Sequence, residues 1–123
     1  MLLPKMIRVK QKFPTDVVED IRSAVFTELD QLNMDSIVKS GDTVAVGAGS
    51  RGIANIDVAI KSVVDYLKGI GSKPFVFPAM GSHGGATPEG QKDILAHYGI
   101  TEETMGAPIR ATMEVVEVGR TAD

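Results

Sequence analysis

Twice in this chain a short apolar run empties into a glycine-rich loop and then into a helical pattern. The first is Thr43-Val44-Ala45-Val46-Gly47-Ala48, followed by Gly49-Ser50-Arg51-Gly52. The second is Lys73 to Pro78, built around Phe75-Val76-Phe77 and followed by Ala79-Met80-Gly81-Ser82-His83-Gly84-Gly85-Ala86. Apolar runs of this length, β-branched or aromatic in part, predict strands buried on both faces, as in a parallel sheet. Strands that alternate with helices must be joined by crossovers, which stack the helices on the sheet. That arrangement also places both glycine loops at the carboxyl ends of strands, where open α/β sheets bind their ligands.

The flanking patterns extend the order. Ile7 and Val9 alternate with charged residues in Met6 to Lys12, which predicts a short edge strand. Pro14-Thr15-Asp16 reads as a helix start, and Val18, Ile21, Val25, Phe26, Leu29 and Leu32 follow the spacing of one buried face. Asp35 to Lys39 reads as a short helical turn. Ile56, Ile60, Val63, Val64 and Leu67 mark a second amphipathic helix, ended by Gly69 and Gly71. Thr87-Pro88-Glu89 starts a third: a capping hydroxyl, a proline at the first helical position and an acid in the first turn. It carries Ile94 and Leu95 and stops at Gly99. Thr101 to Met105 reads as one more turn, and Met113 to Val118 alternates as a strand would. The expected fold is therefore α/β, a Rossmann-like parallel sheet in βαβαβαβ order, with residues 1–123 as a single unit. The fourth strand has no helix after it to cover the sheet, so the unit is expected to be the incomplete N-terminal part of a larger protein.

Composition narrows the chemistry. The 123 residues allow one domain, and 43% hydrophobic content is enough to build a core. Cysteine is absent, which excludes disulfides, thiolate metal sites and cysteine nucleophiles within the chain. Two histidines remain, so a metal site made by this chain alone must lean on carboxylates. Thirteen Lys+Arg against sixteen Asp+Glu give a net charge of −3, interspersed along the chain, with no basic stripe for nucleic acid. No segment approaches the roughly 18 apolar residues that span a bilayer, and Met1 to Lys5 lacks the apolar stretch of a signal peptide. A cytoplasmic protein without membrane attachment is expected.

The loops carry the candidate chemistry. Gly49, Ser50, Arg51 and Gly52 lack the Gly-Lys-Ser/Thr of a P-loop. Their amides can nevertheless approach an anion, with a helix N-terminus behind them. Arg51 offers a bidentate fork for a carboxylate or phosphate. The alternative is a plain strand–helix turn with a solvent-facing arginine. In the second loop His83 is flanked by Gly81, Ser82, Gly84 and Gly85. A histidine so placed can exchange protons near neutral pH, and Ser82, Thr87 and the loop amides can hold a phosphate. The alternative is a loop histidine bonded only to backbone. His97, near the end of the third helix, reads as a capping or surface residue.

At these two loops the sequence resembles the N-terminal domain of the nickel-pincer-nucleotide lactate racemase family, in a divergent branch of it. The resemblance rests on Gly49-Ser50-Arg51 and on Pro78-Ala79-Met80-Gly81-Ser82-His83-Gly84-Gly85-Ala86-Thr87, with the order of elements from residue 5 to 118. It implies a racemase or epimerase of a small 2-hydroxy acid. The implied cofactor is a nickel pincer nucleotide lying between two domains and accepting the α-hydride. His83 then corresponds to one of two acid/base histidines, and Arg51 to the arginine that steers the substrate carboxylate. Ser50 stands where the family has threonine. Gly49, Gly81, Ser82, Gly84, Gly85 and Thr87 fall where the cofactor or its phosphate would be approached. Two departures stand out: Ala48 replaces an aspartate, and Gly84-Gly85 replaces an Arg-Pro pair after the histidine. The second histidine, the cofactor-bearing lysine and the metal ligands belong to a later part of such proteins. This chain is accordingly expected to be inactive alone, to need a C-terminal portion of the same protein as partner, and to be compatible with a homo-oligomer. The alternative reading is a non-catalytic phosphate- or nucleotide-binding module.

Overall fold

The computed structural model describes residues 6–14 and 16–121. Its elements are α1 (Ile21–Gln31), α2 (Met34–Ile37), β1 (Thr43–Ala48), α3 (Ile56–Gly69), β2 (Lys73–Pro78), a tight turn at His83–Ala86, α4 (Pro88–His97) and α5 (Glu102–Met105). The two strands are parallel and in register from Thr43↔Lys73 to Ala48↔Pro78, with α3 as the crossover between them. This is a mixed α/β unit built on one βαβ core. Among the described residues no helix is long and apolar enough to cross a membrane.

Among the described residues two of the four expected strands form. Met6 to Lys12 forms no strand, and Ile7 and Val9 are exposed. Alternation gives a segment a strand-like face, but only a partner strand satisfies its backbone, and among the described residues none lies beside it. Met113 to Val118 is likewise irregular, with Val115, Val116 and Val118 in solvent. What pairs with β2 on that side lies earlier. Val76 N–H donates to Pro108 O at 2.9 Å and Arg110 N–H to Val76 O at 2.8 Å, a single parallel bridge between Val76 and Ile109. Ala107 and Ile109 are the buried residues there, so the core is closed before residue 113 is reached.

Strand β1 is also one-sided. Val46 and Ala48 are buried while Thr43, Ala45 and Gly47 are exposed, so β1 alternates where burial on both faces was expected. Alanine and glycine count as apolar in a run but lose little by facing water. The core gathers Val46, Ala48 and Val76 from the sheet with Ile56, Val64, Leu67, Leu95, Ile100, Met105, Ala107 and Ile109.

Helix α1 begins later than its first capping signal. Thr15 lies outside the described residues, and Asp16 to Glu19 are not helical. Asp20 is the N-cap, its carboxylate accepting the Ser23 N–H at 2.9 Å. Val18, expected on the buried face, is 61% exposed, so a longer helix would gain little burial. The helix leans on α3. Phe26 meets Tyr66 edge to face at 5.3 Å, Tyr66 Oη donates to Asp30 at 2.8 Å, and Arg22 pairs with Asp65 at 2.7 Å. The start of α4 follows the sequence: Thr87 caps it, its hydroxyl accepting the Gly90 N–H at 3.1 Å, and Pro88 fills the first turn.

Candidate active site at the strand ends

Because β1 and β2 end level with each other, their loops leave side by side. Ala79 N–H still donates to Ala48 O at 2.8 Å, extending the ladder into the loops. The chain then turns twice around one spot. Ser50 Oγ and His83 Nδ1 are 2.6 Å apart, and Arg51 Nη2 faces His83 Nε2 at 3.5 Å. Ser50 and His83 are half-buried and Arg51 is exposed. Gly49, Ser50, Arg51, Ala79, Met80 and Gly81 line an open depression of about 400 Å³ beside them. Among the described residues Arg51 makes no ion pair, so its guanidinium is available to an anion.

These contacts select a tautomer. Arginine has donors only, so the nitrogen facing it must present a lone pair. A neutral His83 that suits both neighbours therefore carries its proton on Nδ1, donates it to Ser50 Oγ, and turns a basic Nε2 toward Arg51. The Ser50 hydroxyl hydrogen is then free for a ligand. The resulting set is a base, a hydroxyl and a fixed cation at the mouth of one depression. It can hold a small carboxylate or phosphate and exchange a proton with it.

The turn that presents His83 is built on left-handed backbone. Gly84, Gly85 and Ala86 have φ of +63°, +67° and +54°. At Gly84 the demand is also steric: a Cβ there would lie 2.4 Å from the Gly90 carbonyl carbon and 2.6 Å from Gln91 N. Gly90 is equally constrained, since its Cβ would sit 2.0 Å from Gly84 O. The turn is thus pressed against the first turn of α4, backbone to backbone. An arginine followed by proline, the pair in the resembled family, does not fit this geometry at Gly84.

The remaining candidates divide. Gly49 lines the depression, while Gly81 lines it and uses its carbonyl to accept the Gln91 side chain. Ser82 is exposed and makes no capping bond to the turn. Gly85 has open space around its Cα. Thr87 already spends its hydroxyl locally, donating to Gly84 O at 3.1 Å while capping α4. His97 stands apart: its Nδ1 pairs with Asp93 O on its own helix at 2.7 Å, about 15 Å of helix from the start of α4. Among the described residues no three His, Asp or Glu side chains gather closely enough to hold a metal ion. The nickel that the resemblance implies has no donor set on these residues.

Two residues at the site were not singled out by the sequence. Gln91 is 5% exposed, and its Nε2 donates to Gly81 O at 2.7 Å. Tyr98 Oη donates to Ser50 O at 2.9 Å. With Ile94 and Leu95 they complete an i, i+3, i+4, i+7 stripe that runs along α4 to its C-cap, Tyr98, and that spacing is the signal that puts them on the same face as the buried Leu95. Comparison with known proteins finds no match: no family model, no curated protein and no solved structure aligns with this chain.

Proposed function

We propose that this chain is the His83-bearing part of a racemase or epimerase of a small 2-hydroxy acid. The observation that supports it is the meeting of Ser50, Arg51 and His83 at adjacent strand ends. Arg51 holds the substrate carboxylate, and the Ser50 hydroxyl donates to the same anion. The α-hydroxyl, attached to the neighbouring carbon, then falls beside His83 Nε2, which removes its proton. Positioned proton transfer of this kind is worth about 10² to 10⁴ in rate.

Racemisation needs more than these residues provide. The α-hydride must leave and return, and a second acid/base must act on the opposite face. In this reading both come from another portion of the same protein, so this chain contributes substrate binding and one proton transfer. The nickel pincer nucleotide of the resembled family would be the hydride acceptor. Its metal finds no ligands here, and the turn after His83 departs from that family.

The second reading is a non-catalytic anion-binding module. It is favoured by Arg51, which among the described residues makes no ion pair, beside the Ser50 hydroxyl. The whole protein, incubated with single enantiomers of small 2-hydroxy acids and analysed by chiral chromatography, separates the two. The enzyme reading expects interconversion that His83→Asn abolishes. Anion binding that survives His83→Asn, with no interconversion in the parent protein, overturns it in favour of the module.

A further inference from the structure

The two loops are far apart in sequence, and the 2.6 Å contact between their side chains depends on how each backbone is held. Glycines supply their shape and give them freedom to lose it. Something must set their distance. Helix α4 touches both: at its first turn through Gln91, and at its C-terminal end through Tyr98.

We propose that α4 is the positioning element of the site, with Gln91 and Tyr98 as positioning residues that fix the His83 tautomer through the loop backbones. Gln91 Nε2 holds the Gly81 carbonyl, two residues before His83. The Gly84–Gly90 backbone contact fixes the chain on the other side of the ring. Tyr98 Oη holds the carbonyl of Ser50 itself, the residue whose hydroxyl meets Nδ1. Three points on one rigid helix therefore define where Oγ stands relative to the imidazole. Burial of Leu95 at 0% exposure and of Gln91 at 5% ties that helix to the core. The carbonyl that Tyr98 holds joins Ser50 to Arg51, so the same restraints set both the Ser50 contact and the approach of the guanidinium to Nε2, and with them the lone pair on Nε2 and the proton on Nδ1.

The role differs from ordinary stabilisation. Tyr98 is 40% exposed, and its ring contributes little to the core, yet its hydroxyl reaches the backbone of a site residue. Removing that hydroxyl should leave folding intact and release the Ser50 loop. Arg51, the next residue, is released with it, and without the guanidinium at Nε2 the ring of His83 relaxes toward the Nε2–H form, which takes away the base.

The kinetic consequence rests on the proposed role of His83, but the tautomer can be read without any turnover. The chain has only two histidines, and His97→Asn leaves His83 as the sole imidazole signal. In that background, ¹⁵N spectra at a pH of about 8.5, above the ordinary histidine range, report the ratio of Nδ1–H to Nε2–H. The parent is expected to be mostly Nδ1–H. Tyr98→Phe and Gln91→Met are each expected to lower the Nδ1–H to Nε2–H ratio about five-fold, the effect of one ordinary hydrogen bond. The double variant Ser50→Ala, Arg51→Ala, which removes both contacts to the ring directly, sets the scale for complete loss. Tyr98→Phe should melt within a few degrees of the parent, which separates positioning from unfolding even if Gln91→Met fails to fold. A parent-like ratio in Tyr98→Phe, or a parent that is itself mostly Nε2–H, overturns the proposal. Absence of racemisation in the whole protein, with the ratio behaving as expected, would instead sink the enzymatic reading and leave this one standing.

Discussion

Replacing Gly84 by alanine tests whether the turn that carries His83 is held by contact with α4 or only by the conformation of its backbone. Two costs are separable. The first is conformational: at φ +63° a residue with a Cβ pays about 1 to 2 kcal/mol. The second is steric. The added carbon would meet Gly90 C at 2.4 Å, Gly90 O at 2.5 Å and Gln91 N at 2.6 Å, all backbone atoms of a capped helix that cannot swing aside. Overpacking of that kind costs typically about 1 to 3 kcal/mol. Gly84→Ala should therefore destabilise by about 2 to 5 kcal/mol. Gly85 supplies the control, with φ +67° and nothing within 4 Å of its Cβ position. Gly85→Ala should cost only the conformational part, about 1 to 2 kcal/mol. At about 4 °C per kcal/mol, the Gly84 variant should melt at least ~4 °C below the Gly85 variant. Urea unfolding followed by circular dichroism gives both values. Equal destabilisation of the two variants would refute the reasoning, because the close approach to Gly90 would then carry no energy.

Two further expectations concern the α1–α3 contact. Burial pushes the Asp65 carboxyl up, but hydrogen bonds and charge from Lys61 and Arg22 outweigh it and hold the group below its usual value. A folded-state value lower than the unfolded one contributes stability at neutral pH that is lost as pH falls through the acid range, so Asp65→Asn should flatten the acid limb of a stability–pH curve; an unchanged limb contradicts the pairing. Tyr66 is raised above the ordinary phenol range, first by its hydrogen bond to Asp30, then by desolvation and by the charges of Asp30 and Asp35. That contribution is complete below the unfolded value and lost as pH rises through the folded one, so Tyr66→Phe should remove a decline seen only in alkaline solution, measured by the same denaturant midpoints.

What could be read from the sequence was whatever is encoded locally. Thr43–Ala48 and Lys73–Pro78 are strands because short apolar runs between turn residues have few other options, and Thr87-Pro88 marks a helix start by cap chemistry alone. The strand patterns at Met6 to Lys12 and Met113 to Val118 failed because pairing is a property of two segments, and alternation describes one. Helix α1 starts later than Pro14-Thr15-Asp16 suggests because Asp20 is an equally good cap, and packing against α3 decides between them. The expectation that β1 is buried twice over came from counting Ala45 and Gly47 as core, though their small side chains tolerate either side. At the site, His83, Ser50 and Arg51 stood out because their chemistry is visible in their letters. Gln91 and Tyr98 act through backbone carbonyls of other loops, and those partners cannot be read from helical spacing. The spacing shows only that both residues share the face of α4 that carries Leu95.

The central claim is that Arg51, Ser50 and His83 form one site for a small hydroxylated carboxylate. It is tested most directly by following backbone amide signals of the ¹⁵N-labelled chain during titration with a 2-hydroxy acid such as lactate. An open depression without a second wall keeps only part of its contacts, so a dissociation constant on the order of millimolar is expected. The account predicts shifts concentrated in Gly49 to Gly52 and Ala79 to Ala86, abolished by Arg51→Ala and reduced by Ser50→Ala. Shifts centred instead on the apolar groove between α1 and α3, near Ile21 and Val63, or saturable shifts that persist in Arg51→Ala, would contradict it.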